Sequence, residues 1–214
     1  MIFSCIACTR RDNLTYLPQT ISSFKDLFPT ETLHIYHEPN PPIIDQEKVI
    51  LKVGKTKLGV VNNWLRALES SLDYNDDYYM IMEDDIQFLS EEILNFPQTS
   101  HPVSPYCSEK NRLVTRRDVW HWPMFAKSWC GACCFIIPRK LATDIIKSKT
   151  KFLELSLSLT TKKHAHLDTA IGNFVNHKVL THTLSLIDHV GLISENELNN
   201  KKTIVPSQRT AALK

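Results

Sequence analysis

The sequence contains little glycine. Only five of its 214 residues are glycine, and neither a GxGxxG dinucleotide fingerprint nor a GxxxxGK[ST] phosphate-binding loop is present. Both motifs need glycine where the backbone approaches phosphate closely. The absence weakens an interpretation as a nicotinamide dehydrogenase or a P-loop ATPase.

Long apolar runs are also missing. The first run ends at Thr9 after seven residues and has no basic leader before it, which is too short for the apolar region of a signal peptide or for a membrane span. No other segment approaches the length needed to cross a bilayer. We therefore expect a soluble, cytoplasmic protein.

Basic and acidic residues are nearly balanced in number. The formal net charge of +2 does not indicate a general polyanion binder, although the basic pairs Arg116-Arg117 and Lys162-Lys163 can still contribute to a local patch. The composition, 43% hydrophobic and 22% charged, is that of an ordinary folded protein. At this length we expect one domain, covering residues 1–214.

The six cysteines do not form a recognisable framework. Without an export signal they are expected to be reduced thiols. Cys130, Cys133 and Cys134 resemble half of a zinc site, but Cys5, Cys8 and Cys107 do not supply a second ligand pair at a suitable spacing. We favour buried small side chains over a structural zinc.

Apolar spacing predicts strands that alternate with helices. A continuously apolar strand at residues 2–8 precedes a helical stripe at Leu17, Ile21, Phe24 and Phe28. Further strands are expected at 33–37, 49–53, 78–82 and 133–137, a longer one at 179–187, and helices at 61–72, from Ser90 and at 139–147. This order predicts an α/β fold whose mainly parallel sheet is sandwiched by helices.

Polar clusters follow two of these strands. Thr9-Arg10-Arg11 comes after the first strand, and Glu83-Asp84-Asp85 comes after the strand at 78–82. Ligands of open parallel sheets bind at the carboxyl ends of the strands. Three adjacent carboxylates repel one another, and a divalent cation would neutralise them. The alternative is that they begin a solvated loop or cap a helix.

The hydrophobic strand that leads into Glu83-Asp84-Asp85 resembles the DxD-type motif of GT-A glycosyltransferases, in its EDD form. Other segments resemble the family in the same order, over roughly residues 2–194: Cys8–Phe24, Lys57–Leu68, Trp129–Arg139, His166–Ile171 and Leu184–Ser194. The chain departs from the family pattern in having Glu83 at the first acidic position. The segment at 98–128 matches no pattern and is predicted to be an acceptor loop.

The resemblance implies a metal site and a donor site. Asp85 and His189 are the expected metal ligands, with Glu83 binding directly or through water, and the ion would be Mn²⁺ or Mg²⁺. Asp84 is expected to meet the ribose or to orient the site. Arg10 and Lys57 are candidates to pair with the nucleotide diphosphate, with Thr9 and Asn62 as polar contacts and Gly131 near the donor sugar.

Asp168 is the candidate catalytic base, because the segment around it resembles the one that carries an acidic residue in the family. An inverting enzyme needs a carboxylate that deprotonates the acceptor. The alternative for Asp168 is a helix N-cap, since Thr169 and the following residues can begin a helix.

The expected function is metal-dependent transfer of a sugar from a nucleotide-sugar donor, with a UDP-sugar favoured by the resemblance. The acceptor is a glycan or a modified base in phage-type DNA. The donor half would cover about residues 1–97 and the acceptor half about 98–194, followed by a polar tail at 195–214. The alternatives are a nucleotidyltransferase and a non-catalytic nucleotide- or nucleic-acid-binding module.

Overall fold

The computed structural model describes residues 2–8, 16–106, 120–122, 133–157 and 166–190. The first half alternates strands and helices as the apolar spacing predicts. Its elements are β1 (Ile2–Cys8), α1 (Tyr16–Leu27), β2 (Leu33–His37), β3 (Val49–Val53), α2 (Val60–Ser71) and β4 (Tyr78–Met82).

The second half has shorter strands. Its elements are β5 (Ile86–Phe88), a 3₁₀-helix (Glu91–Asn95), β6 (Val103–Ser104), β7 (Trp120–His121), β8 (Cys134–Pro138), α3 (Arg139–Lys147), α4 (Lys149–Leu157), α5 (Leu167–Phe174), β9 (Leu180–His182) and β10 (Ile187–His189). The helix expected from Ser90 is this 3₁₀-helix, and the Ser90 side chain caps it by accepting from the backbone N–H of Glu92 at 3.1 Å.

The single strand expected at 179–187 is wrong. The segment forms β9 and β10, which belong to different sheets. Ser185 lies between them, and its hydroxyl donates to the carbonyl of Ile187 at 2.6 Å. A serine hydroxyl that bonds local backbone in this way favours a turn over a continuous strand.

The main sheet has eight strands in the order β3-β2-β1-β4-β8-β6-β9-β7. The neighbours β3, β2, β1 and β4 pair in parallel, whereas β8 pairs antiparallel with both β4 and β6. A separate two-stranded sheet pairs β10 with β5. The expected α/β class with a mainly parallel sheet is confirmed.

Each face of the main sheet carries its own apolar core. One core packs side chains of α2, α3, α4 and α5 against the sheet, with Trp64 stacked on Phe152 at 5.8 Å between ring centroids. The other packs α1 and β5 against the opposite face. This two-sided cover explains why β1 is buried along nearly its whole length. Among the helices of the described ranges, none has the length and apolar character that a membrane span requires.

The parallel strands all end at one edge of the sheet. β1 ends at Cys8, β2 at His37 and β4 at Met82, and the antiparallel β8 begins at this edge with Cys134. The acidic triplet follows β4 directly, so the fold places it at the edge where open α/β sheets bind their ligands.

Candidate active site

The acidic turn after β4 is held in place by Thr20 of α1. The Thr20 hydroxyl lies 3.0 Å from the carbonyl of Asp84 and 2.7 Å from that of Ile86, and it accepts from the N–H of Ile86 at 3.0 Å. The backbone of the turn is therefore tied to the first helix. These bonds fix the backbone from which the side chains of Glu83 and Asp85 extend.

His189 meets two of the three carboxylates of the triplet. Its Nε2 lies 2.9 Å from Oδ2 of Asp85 and 3.7 Å from Oε2 of Glu83. The pairing of β10 with β5 sets His189 opposite Ile86, and the N–H of Val190 donates to the carbonyl of Asp85 at 2.9 Å. Two short strands thus bring together residues that the chain separates widely.

Cys133 joins this group from the residue before β8. A ligand atom from each of Glu83, Cys133 and His189 lies within 4.8 Å of the other two, and within the described residues this is the one group of three or more ligating side chains at such distances. The Cys133 carbonyl accepts from the N–H of Glu83 at 2.8 Å, which continues the β4–β8 ladder by one step.

The donor set fits a divalent cation. The His189 imidazole lies beside both carboxylates, and such oxygen and nitrogen ligands suit Mn²⁺ and related ions. Asp85 is fully buried, whereas about a quarter of each of the Glu83 and His189 side chains is exposed. A buried carboxylate needs a compensating positive charge, and the exposed side leaves room for a further ligand.

The surroundings of Cys133 disfavour its thiolate form. Burial, together with the carboxylates of Glu83, Asp85 and Asp168, raises the pKa of the Cys133 thiol well above its ordinary value. Asp168 contributes to this shift from α5, a separate element from those that carry Glu83 and Asp85.

Asp168 lies in the first turn of α5 and is half-buried. Its Oδ1 accepts from the N–H of Thr169 at 2.9 Å, and the N-cap position is occupied by His166. A carboxylate in the first turn is stabilised by the positive end of the helix dipole. The alternative that Asp168 is the N-cap residue is therefore wrong, and its role as a base stays a prediction.

Asp84 has different contacts from its two acidic neighbours. It is 3% exposed, and its Oδ2 accepts from the Cys8 thiol at 3.0 Å. This contact links the acidic turn to the end of β1, at the edge where a nucleotide is expected. A direct contact between Asp84 and ribose stays a prediction.

Lys57 and Asn62 are both exposed near the start of α2. The Asn62 amide donates to the carbonyl of Leu58 at 3.3 Å. The loop before α2 is fixed by the buried Glu38, whose Oε1 accepts from the N–H groups of Leu58, at 2.7 Å, and of Gly59. Lys57 thus extends from an anchored loop, and its contact with a diphosphate stays a prediction.

The neighbouring Asn63 has a different environment. It is fully buried, and its Nδ2 donates to the carbonyl of Cys8 at 2.8 Å and to that of Tyr36 at 2.9 Å. One side chain of α2 therefore bridges the carboxyl ends of β1 and β2. These two carbonyls lie at the edge of the sheet, where the strand ladder no longer satisfies them.

Several predicted residues lie outside the described ranges: Thr9, Arg10, Gly131, both basic pairs and most of the expected acceptor loop. A cavity of about 510 Å³ lies at the opposite end of β4 and is lined by Asp77, Tyr78, Phe96 and Arg139, among others. None of the predicted site residues lines it. The strand ends, rather than this cavity, therefore locate the candidate site.

Two residues that shape the site, Thr20 and Asn63, were not predicted from the sequence. Cys133 was considered only as part of half a zinc site, and a buried small side chain was favoured for it. Thr20 and Asn63 carried a usable signal, since each is a polar residue in the apolar stripe of an amphipathic helix. In the sequence, Cys133 is only a thiol before an apolar strand. Its position beside Glu83 follows from the pairing of β4 with β8.

Comparison with known proteins supports the fold. No family model and no curated protein matches the chain. Its structure is similar to that of the galactosyltransferase LgtC in complex with donor and acceptor sugar analogs, with a TM-score of 0.55, 10% sequence identity and coverage of 85% of this chain and 73% of that chain. The GT-A-like architecture expected from the sequence is thereby confirmed as a fold.

Proposed function

We propose that the chain is a glycosyltransferase that uses a divalent cation and a nucleotide-diphosphate-sugar donor. The observation that carries the proposal is the position of His189 beside both Glu83 and Asp85 at the carboxyl edge of a GT-A-like sheet. A similar fold belongs to a galactosyltransferase that binds donor and acceptor sugar analogs, which favours this chemistry over others.

The buried and exposed parts of the site have separate tasks in this proposal. Asp85, which is fully buried, would supply a carboxylate ligand from inside the protein, and the partly exposed Glu83 and His189 would leave one side open to the donor. When bound, a divalent cation would neutralise the charge that develops on the diphosphate leaving group. Lys57 and the predicted contact Arg10 would add positive charge from the protein.

Asp168 would accept the proton of the acceptor nucleophile. It is half-buried in the first turn of α5, and its charge contributes to the raised pKa of the Cys133 thiol, which supports this role. Deprotonation from the face opposite the leaving group corresponds to inversion at the sugar carbon. The acceptor would be a glycan or a modified DNA base, bound on the side of residues 98–194.

The test is product analysis with a panel of nucleotide sugars. The purified chain is incubated with UDP-sugars and other donors, with and without added divalent cation, and the released nucleotide is identified by chromatography. Glycosyl transfer or donor hydrolysis releases a nucleoside diphosphate, whereas nucleotidyl transfer from a nucleoside triphosphate releases pyrophosphate. We expect cation-dependent release of the diphosphate.

Asp85→Asn is the informative variant, and Asp144→Asn is its matched control. Asp144 lies on the surface of α3, where its carboxylate pairs with Lys140 at 2.9 Å. We expect turnover to fall at least about a hundredfold in Asp85→Asn and to be retained in Asp144→Asn. Full turnover in Asp85→Asn, or no release from any donor by the wild type, would contradict the proposal.

A further inference from the structure

The position of Cys133 follows from the pairing of two strands. Met82 is opposite Cys134 in the β4–β8 ladder, so Glu83 and Cys133 are the next residues on each side, and their backbones share a 2.8 Å hydrogen bond. Side chains at facing positions of an antiparallel pair lie about 4.5–5.5 Å apart at Cβ. The ladder therefore holds the thiol beside the Glu83 carboxylate.

His189 closes the group from the other sheet. Its Nε2 is 3.7 Å from Oε2 of Glu83, and the Cys133 Sγ lies within 4.8 Å of a ligand atom of each. Sulfur, nitrogen and oxygen ligands held at about 2.0–2.3 Å from one tetrahedral ion are about 3.3–3.8 Å apart. A shift of about 1 Å or less, within the reach of side-chain rotation, would complete that arrangement.

The donor types decide which ions the group suits. Carboxylates and water suit Mg²⁺ and Mn²⁺, whereas a thiolate with an imidazole suits Zn²⁺ and Co²⁺. Cys133 is 7% exposed, so its sulfur lies on the buried side of the site while His189 and Glu83 reach the open side. A buried thiol can favour one class of ion because of its ligand chemistry, and it leaves the open side of the site free for a substrate.

We propose that Cys133 is a direct ligand of the cation at this site, together with Glu83 and His189, so that the site takes a thiophilic divalent ion of the zinc class. The proposal rests on the proposed function in one respect, because it concerns the cation that the same site would hold. On binding, the Cys133 sulfur forms a bond to the ion and its proton passes to solvent, with no change of oxidation state.

Cobalt titration tests this directly. The full chain is freed of metal with a chelator, kept reduced with a phosphine, and titrated with Co²⁺ without nucleotide or sugar. We expect a near-ultraviolet thiolate-to-cobalt charge-transfer band that saturates at one ion per chain. Because loss of a supporting group around a metal costs about 10–100-fold in affinity, loss of the Cys133 ligand should weaken Co²⁺ and Zn²⁺ binding by at least about tenfold.

Cys133→Ser and Cys134→Ser form a matched pair. The two cysteines are adjacent and buried, but Cys134 does not belong to the group with Glu83 and His189. We expect the band to vanish in Cys133→Ser and to persist in Cys134→Ser, with Mn²⁺ affinity changed less than Co²⁺ affinity in the former. Binding of Co²⁺ without the band, absence of Co²⁺ binding, or a band that persists in Cys133→Ser would overturn the proposal.

X-ray absorption of the zinc-loaded wild type gives a measurement that needs no variant. We expect one sulfur scatterer at about 2.3 Å, and a shell of nitrogen and oxygen alone would refute the ligand assignment. These readouts are independent of sugar transfer. A charge-transfer band in a chain that releases no nucleotide would leave this inference standing and the proposed function contradicted, and cation-dependent transfer without a metal–sulfur bond would do the reverse.

Discussion

The Nε2 atom of His189 lies 2.9 Å from Oδ2 of Asp85, although the two residues are far apart in the chain. Asp85 is fully buried, and about a quarter of the His189 side chain is exposed. The histidine therefore connects a carboxylate inside the protein to the open crevice. A cation that replaces this direct contact would be bound by both residues.

Cation binding should stabilise the folded chain through this pair. An ion at about a hundred times its dissociation constant adds about 2.7 kcal/mol to the free energy of unfolding. For a chain of this size we expect Tm to rise by about 5–10 °C on addition of Zn²⁺ or Mn²⁺ and to fall again with chelator. Calorimetry should show this shift in Asp144→Asn and lose it in Asp85→Asn.

Asp168→Asn should separate proton transfer from metal binding. The amide cannot accept a proton, and loss of a general base costs about 10²–10⁴-fold in turnover. The substituted side chain keeps an oxygen that can accept from the N–H of Thr169, so α5 should stay intact. We expect kcat to fall while cation affinity, measured by calorimetric titration, changes less than about threefold. An equal loss of both would contradict the assignment.

Thr20→Val should loosen the acidic turn. The substitution keeps the shape but removes the hydroxyl that bonds to the backbone of Asp84 and Ile86. Leaving these buried groups without a partner should cost about 1–3 kcal/mol in the free energy of unfolding, and cation affinity should fall as well. Denaturant unfolding measures the first effect. Thr143→Val, which removes only a bond to its own helix, should cost less than about 1 kcal/mol.

Asn63→Asp and Asn62→Asp should differ sharply in stability. At position 63 the change replaces a donor to the carbonyls of Cys8 and Tyr36 with a buried carboxylate. We expect the free energy of unfolding to fall by about 3 kcal/mol or more. The exposed position 62 should tolerate the same change within about 0.5 kcal/mol. Urea unfolding of the two variants side by side measures this, and equal effects would show that the bridge between β1 and β2 adds little.

His34 should make stability depend on pH. Burial, with a contribution from Lys52, lowers its pKa to about 4, and its ring packs against Phe3 and Tyr74. The unfolded chain binds the proton near pH 6.5, so the folded state loses up to about 3 kcal/mol as pH falls from about 6.5 to about 4. Above about pH 6.5 this contribution is constant, because the imidazole is neutral in both states.

The measurement is urea unfolding of the wild type and His34→Leu at about pH 7.5 and about pH 5. We expect the wild type to lose more stability than the variant between these two conditions. The difference isolates His34 from the other histidines and carboxylates. An identical loss in both proteins would show that His34 does not titrate as proposed.

Much of the fold could be predicted because its signals are local. β1 is a continuous apolar run, and α1 and α2 have apolar residues at helical spacing. The position of the acidic triplet followed from β4 alone, because parallel strands end at one edge. His189 lies beside Glu83 and Asp85, and the metal-binding roles that the resemblance implies for these residues stay predictions.

The remaining features depend on pairing between distant segments. Cys133 enters the site because β8 runs antiparallel to β4 in one register, and a shift of one residue would turn its side chain to the other face. The division of residues 179–187 between two sheets depends on which partner each strand finds. Which of Asn62 and Asn63 is buried depends on how α2 is rotated about its axis against the sheet. The spacing of the apolar residues indicates this rotation, whereas the motif does not.

The two-stranded sheet of β5 and β10 has a consequence for the timescale of the site. Three facing residue pairs hold His189, whereas the carboxylates follow a central strand of the main sheet. Five facing pairs bind β4 to each of its two neighbours, so the amide of Val190 should exchange its hydrogen faster than those of Met80 and Met82. The histidine side of the site would then open first and set how quickly a bound ion is released.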